Sequence, residues 1–295
     1  MTAPSRLSKL LAAVVAQNGS DLHISAGNKP IIRTAGTLLM LAEEEPFTAA
    51  ETSALLKSMV PPGRWELFEK AQSVDFSYSH EDKNRFRVNG YVAQGSVSIA
   101  MRLIPHLVRN FTDLNLPPTL ETFCQRSQGF FMVVGPVGQG KSTTLAAIIE
   151  RINETRAEHI VTIEDPVEYI FDQKKSLIHQ REVHIDAPDF HAALQAAFRE
   201  DVNVIMVGEM RDRETISSAV TAAETGHLVL STLHTNNAAQ TIDRIIDMFP
   251  SSQQDQVRVQ LAGSLTGIFS QRLVPRISGG LIPAYELLIN NSAVS

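Results

Sequence analysis

Two rhythms of apolar and polar positions run along this chain, and the change falls near residue 105. In the first stretch Leu7, Leu10, Leu11, Val14 and Val15 fall on one face at helical spacing. Residues 7–17 therefore predict an amphipathic opening helix, stopped at Asn18-Gly19. Residues 21–25 and 31–34 read as short strands, and residues 48–59 as a helix. Thr48 is its expected N-cap, and Glu51 three residues later completes a capping box. Pro61-Pro62-Gly63 ends that helix, and residues 65–70 add a further turn. Residues 74–78, 85–91 and 97–104 then alternate or run apolar at strand length, with polar or glycine-containing turns between them. That is the pattern of a small α+β domain of mainly antiparallel strands, placed at residues 1–105.

The region from Pro105 to Pro118 holds three of the chain's 14 prolines and no strong period, which marks a linker at residues 106–118. Residues 119–295 then read as a second, α/β domain. Buried-type strands at 129–134, 160–163, 204–207 and 228–232 alternate with helices at 141–153, 190–198 and 214–224. Such alternation predicts a parallel-rich sheet covered on both faces. The remainder reads as one long helix over 254–273, a turn at Gly279-Gly280 and a strand at 282–289.

Composition narrows the classes. A length of 295 residues allows two domains, and 43% hydrophobic with 20% charged residues permits a sizeable core. Disordered, collagen-like and low-complexity readings fall away. Cys124 is the single cysteine, which excludes an internal disulfide framework and a cysteine-built zinc site and fits a reducing compartment. The net charge of −6 argues against a dedicated nucleic-acid binder. No apolar run approaches the roughly 18 residues of a membrane span. Arg6 and Lys9 before residues 10–16 faintly resemble a secretory signal, but the apolar block is short and one-faced.

The chemistry concentrates in Gly135-Pro136-Val137-Gly138-Gln139-Gly140-Lys141-Ser142, followed by Thr143, a full GxxxxGK[ST] phosphate loop between an apolar strand and a helix. Glycines let backbone N–H groups converge on a phosphate, and the helix N-terminus adds partial positive charge. Lys141 is placed to reach the β- and γ-phosphates and Ser142 to ligate Mg²⁺. A chance match in a chain of this length is on the order of one in a hundred or less.

Such a loop needs an acidic partner. Glu209 follows the apolar run 204–207, and Glu164-Asp165 with Glu168 follows the run 160–163. Either alone also fits a solvated strand-to-loop turn. Parallel strands, however, bring their carboxyl ends to one edge, where ligands bind, and three strands here end in the phosphate loop, Glu164 and Glu209. His234 lies at the carboxyl end of the last such strand, where it would sense a γ-phosphate, and His227 at the other end. Their spacing is not that of a helical metal pair, so zinc is not expected.

Together these blocks resemble the secretion-ATPase superfamily, the ring-forming motors of type II and type IV secretion and type IV pili, and most closely its pilus-retraction branch. The matching stretches include Ser20-Asp-Leu-His-Ile-Ser-Ala-Gly27, Arg85-Phe-Arg-Val-Asn89 and Thr162-Ile-Glu-Asp-Pro-Val-Glu-Tyr169. Gln180-Arg-Glu-Val183, Val207-Gly-Glu-Met-Arg-Asp212, Thr221-Ala-Ala-Glu-Thr-Gly-His227, Thr241-Ile-Asp-Arg-Ile-Ile-Asp-Met-Phe-Pro250 and Ser270-Gln-Arg-Leu-Val-Pro275 also match. The resemblance implies a PAS-like N-terminal domain, a RecA-like C-terminal domain and a homo-hexamer with ATP bound between subunits. It implies Mg-ATP hydrolysis that powers pilus retraction and twitching motility, at the cytoplasmic side of an inner-membrane platform protein, with no nucleic-acid partner. By the same resemblance residues 135–143 bind nucleotide, Ser142 and Glu209 serve Mg²⁺, and Glu209 is the general base. Glu164 assists it, His234 completes a His box, and Arg87 and Arg102 reach the γ-phosphate.

Three departures qualify the match. Val202 and Asn203 replace a Pro-Asp pair, while Asp201 and Glu209 remain, so hydrolysis is expected to survive. Gln94-Gly95 stands where an auxiliary arginine is common. Relatives continue past the equivalent of Ala293-Val-Ser295 into a helix tied to retraction, so the sequence is either truncated or impaired in motor output. A pilus-assembly or type II secretion motor would add an N-terminal extension and a four-cysteine zinc module, which this sequence lacks. The alternative from another class is a regulatory or accessory subunit that binds nucleotide without hydrolysing it.

Overall fold

The computed structural model describes residues 3–80, 84–104, 107–277 and 279–291. The chain divides into two compact units, Met1–His106 and Leu107–Ser295.

In the first unit the order is α1 (Ala3–Ala16), β1 (Gly19–Ser25), β2 (Ile31–Thr34), β3 (Thr37–Met40), α2 (Ala49–Met59), α3 (Trp65–Ala71), β4 (Ser73–His80), β5 (Asn84–Ala93) and β6 (Ser96–Ile104). The strands pair antiparallel in the order β3-β2-β1-β6-β5-β4. Leu7, Leu10, Leu11 and Val14 of α1 and Leu55 and Leu56 of α2 bury against Leu22, Ile24, Val88 and Met101. The capping box at Thr48 forms as expected, with Glu51 N–H donating to Thr48 Oγ1 and Thr48 N–H donating back to the Glu51 carboxylate. Such a cap contributes about 1 kcal/mol.

The second unit opens with a short 3₁₀ turn (Pro118–Leu120) and α4 (Glu121–Cys124), then β7 (Gly129–Val134), α5 (Lys141–Thr155), β8 (His159–Glu164) and β9 (Leu177–Glu182). It continues through α6 (Phe190–Ala197), β10 (Val204–Val207), α7 (Arg213–Glu224), β11 (Leu228–Leu233), α8 (Ala238–Asp247), α9 (Ser251–Ser264), β12 (Leu265–Pro275) and β13 (Leu281–Ile289). The sheet order is β13-β12-β7-β11-β10-β8-β9, parallel throughout except for the antiparallel edge strand β13.

Alternate residues of β7 feed two cores. Phe130, Met132 and Val134 face the side covered by α6 to α9, and Phe131 and Val133 the side covered by α4 and α5. Phe111 and Leu116, inside the stretch read as linker, are buried in that second core, while residues 105 and 106 lie outside the described residues. Cys124 is also buried there; its thiol lies against the Leu120 carbonyl at 3.5 Å, and burial pushes it up to about 12.

One expected element is corrected. Residues 254–273 are not one helix: α9 ends at Ser264, and Leu265 begins β12, which pairs parallel with β7. Residues 265–271 are all buried, on both faces, and with polar Thr266, Ser270 and Gln271 among them no apolar–polar alternation marks a strand. The strands β3 and β9 and helix α8 lie in stretches for which the pattern predicted no element. The expectation about residues 293–295 falls outside the described residues.

Candidate functional site

Parallel strands set the site by direction alone. Strands β7, β8, β10 and β11 run side by side, so their carboxyl ends share one sheet edge. The loop after β7 turns back tightly onto β12. At Gly135 the backbone has φ +149°, and a Cβ there would lie 2.4 Å from the Gln271 carbonyl oxygen, so only glycine fits. Gly140, at φ +80°, caps the entry into α5.

Lys141, the first residue of α5, is buried with its ammonium turned into the loop. Its Nζ donates to the carbonyls of Gly135 and Pro136, each at 2.9 Å, and lies 3.1 Å from His234 Nδ1. Burial lowers its pKa, against the opposing pull of Glu209 and Glu168. His234 Nε2 in turn lies 3.2 Å from Glu209 Oε1. A lysine ammonium has donors only, so His234 accepts at Nδ1 and carries its proton on Nε2, facing the carboxylate. The structure thus joins three expected site residues, Lys141, His234 and Glu209, in one chain of polar contacts.

Glu209 has a second partner the sequence reading did not single out. Arg211 meets it at 3.0 Å and reaches Asp165 at 3.5 Å, tying the end of β10 to the end of β8. The hydrogen bond to Glu209 raises the Arg211 pKa further. Glu164 occupies a different setting. It is buried, and it accepts from Thr162 Oγ1 at 2.7 Å, Gln180 Nε2 at 3.2 Å and the Glu168 N–H at 3.2 Å. Burial outweighs these bonds and pushes its carboxyl up to about 7.

Behind the loop, Thr144 Oγ1 donates to Gln271 Oε1 at 2.7 Å, and Gln271 Nε2 donates to the Gln139 carbonyl at 2.5 Å. The Leu273 N–H donates to Gln139 Oε1 at 2.7 Å. Thr143 Oγ1 pairs with the Tyr169 hydroxyl at 2.8 Å. Gln271 was hidden from the sequence reading because its stretch was expected to be helical. The matching run Ser270–Pro275 was the available signal.

Two further expectations find their places. Asn203 precedes β10, where its N–H and side-chain oxygen both pair with the backbone of His159. It sits at the opposite end of that strand from Glu209, roughly 20 Å of chain away, so its amide does not enter the site. His227 likewise belongs to the far edge, its Nδ1 donating to the Ala222 carbonyl at 3.0 Å.

Arg87 and Arg102 belong to the first unit, where they stand directly opposite each other on β5 and β6. The same cross-strand row continues to Asp21 on β1 and Arg33 on β2. Asp21 is buried and accepts from Arg102 Nε at 2.8 Å. One buried carboxylate thus offsets a row of arginines that would otherwise repel.

Among the described residues no group of three or more His, Cys, Asp or Glu side chains is placed to hold a metal by itself. The hard oxygen donors of Ser142 and Glu209 fit Mg²⁺ as it is held in phosphate sites, through one or two side chains and the substrate's own phosphates. No helix among the described residues is long and apolar enough to cross a membrane.

A phosphate loop entering a helix beside parallel strands that end in carboxylates defines a P-loop ATPase of RecA-like fold. Residues 4–280 match the type II/IV secretion system protein family, and the chain belongs to that family. It is 42% identical, over 98% of its own length and 83% of the relative's, to the type IV pilus retraction ATPase PilT of Pseudomonas aeruginosa. It is 44% identical to a twitching motility protein of Neisseria gonorrhoeae, over 90% of this chain and 71% of that one. Among solved structures it matches the pilus retraction motor PilT with bound ADP, at a TM-score of 0.91 and 45% identity, covering 97% of this chain and 84% of that one. The ATPase DotB of Legionella pneumophila matches with the same TM-score of 0.91 at 28% identity, over 100% and 82%.

Proposed function

We propose that this chain is the subunit of a homo-hexameric motor that hydrolyses Mg-ATP to power type IV pilus retraction, and with it twitching motility. The convergence of Lys141, His234 and Glu209 on one sheet edge supports this reading most directly. In it, the N–H groups within residues 135–143, Pro136 having none, and the Lys141 ammonium hold the β- and γ-phosphates. Ser142 and Glu209 are the side chains that would hold Mg²⁺, which neutralises phosphate charge when bound. Glu209 orients the attacking water and accepts its proton, and His234 links that base to the phosphate-binding lysine. Glu164 supports the water from β8. Arg87 and Arg102, presented by a neighbouring copy, stabilise charge on the transferring phosphoryl group. Residues 1–105 act as a PAS-like domain that swings against the ATPase domain at 119–295 about the front of the linker read at 106–118, ahead of Phe111 and Leu116, which pack into the ATPase core, turning product release into motion. The motor works at the cytoplasmic face of the inner membrane, on a platform protein there.

The test is Mg-ATP hydrolysis across a range of protein concentrations, with Lys141→Ala and Glu209→Gln alongside. A rate per subunit that rises with concentration, and is lost in both variants, is expected for active sites shared between subunits. Nucleotide binding without turnover in the parent chain would instead favour a regulatory subunit.

A further inference from the structure

We infer that Gln271 is the positioning residue of the phosphate loop, setting nucleotide affinity from β12 without touching nucleotide itself. This rests on the reading of residues 135–143 as the nucleotide site.

A loop that aims several N–H groups at one phosphate binds well only if its shape is fixed beforehand, because ordering it on binding costs affinity. Neither the glycines nor the exposed Val137 supply that rigidity. Strand β12 does. Ser270 pairs with Val134 at the end of β7, so the next residue, Gln271, lies level with Gly135. There the Gln271 carbonyl forms the wall that admits no side chain at Gly135. Its buried carboxamide bridges two parts of the motif, with Oε1 on Thr144 in the first turn of α5 and Nε2 on the carbonyl of Gln139 in the loop. The orientation is dictated by chemistry. The Gln139 carbonyl can only accept, so the NH₂ end must face it and the oxygen must face the Thr144 hydroxyl. Gln139 returns the contact through its own side chain, which accepts from the Leu273 N–H. The loop and the helix it feeds are therefore registered against each other through one side chain of a strand distant in sequence.

Gln271→Glu separates positioning from packing. The shape is kept and Thr144 keeps its acceptor, but an ionised carboxylate sets an oxygen against the Gln139 carbonyl. A protonated one can donate there again. At about pH 9 the variant is expected to bind ADP about tenfold more weakly than the parent, with a matching rise in KM for ATP and little change in kcat. Lowering the pH to about 6 should narrow the gap between variant and parent by protonating the carboxyl. Thr144→Val, which removes only the helix half of the bridge, should weaken ADP binding by about threefold. An unchanged ADP affinity in Gln271→Glu at the higher pH, whatever its melting temperature, would overturn the inference. So would a loss that ignores pH, since that marks a packing defect. If Gln271→Glu does not fold, Thr144→Val decides, and unaltered affinity there also counts against the bridge. A parent chain that binds ADP no better than Lys141→Ala would overturn the nucleotide-site reading instead.

Discussion

Strands β8 and β10 lie side by side in parallel, each wholly or almost wholly buried, and each delivers a glutamate to the same sheet edge, yet the two carboxylates end in unlike company. Glu164 is 6% exposed and faces a hydroxyl, an amide and a backbone N–H. Glu209 is about a quarter exposed and faces a guanidinium and an imidazole. The difference arises from one residue of backbone. Gly208 lets the chain cross close over the Ile163 carbonyl, where a Cβ would lie at 3.3 Å, and so carries Glu209 beyond the sheet. Glu164 is instead the last residue of its strand and stays within the sheet. Neutral donors and burial leave a carboxyl that titrates near neutrality, while the Arg211 guanidinium forms a charge-assisted bond to the Glu209 carboxylate. Two carboxylates in unlike surroundings suit two roles, a base and a group that supports it.

The sharpest way to break this contrast is to neutralise each carboxylate in turn. Glu209→Gln is expected to lower the hydrolysis rate by about 10²–10⁴-fold, whereas Glu164→Gln lowers it by about tenfold, with nucleotide still bound in both. Equal losses in a steady-state phosphate-release assay would erase the distinction.

Stability against pH is the next probe. A carboxyl held at about 7 in the fold but near its ordinary value of 4.5 when unfolded keeps its proton longer in the folded state. Its contribution is therefore full below about pH 4.5, declines as pH rises towards 7, and is gone above that. The decline is on the order of 3 kcal/mol. Urea unfolding across that window should show this slope in the parent and a flatter one in Glu164→Gln; identical slopes would remove Glu164 as its source.

Smaller effects test the partners. Arg211→Gln frees Glu209 and Asp165 from their shared cation, and kcat should fall by about three- to tenfold with KM for ATP held. Thr162→Val takes one hydrogen bond from the Glu164 carboxylate and must raise its pKa further, so any activity limb near neutrality moves to higher pH. A limb that stays in place would show that another group sets it.

What could be read from sequence followed from how local the signal is. The phosphate loop, its strand and helix, and the Thr48 capping box are contiguous in the chain and were legible residue by residue. Glu164, Glu209 and His234 needed one further step, that parallel strands share an edge. Gln271 was legible only through the matching run Ser270–Pro275 and not from periodicity. It lies 132 positions from the Gln139 carbonyl that it meets, on a strand buried on both faces and so without alternation. Strand β9, Leu177–Glu182, escaped for the opposite reason, being an edge strand with polar side chains on both faces, Gln180 bonded to Glu164 and Arg181 to Glu200. The Asp21–Arg102 pair spans 81 positions, and only the antiparallel register of β1 and β6 brings it together.

The thiol of Cys124 has a consequence for watching this molecule at work. It is the chain's single cysteine, buried and held at about 12, so at neutral pH almost none of it is the reactive thiolate. A cysteine introduced at exposed Leu38 or Val259 would therefore take a maleimide dye alone, with no native thiol to remove first. The fold leaves no reactive native thiol at the surface, so each unit can carry its own reporter.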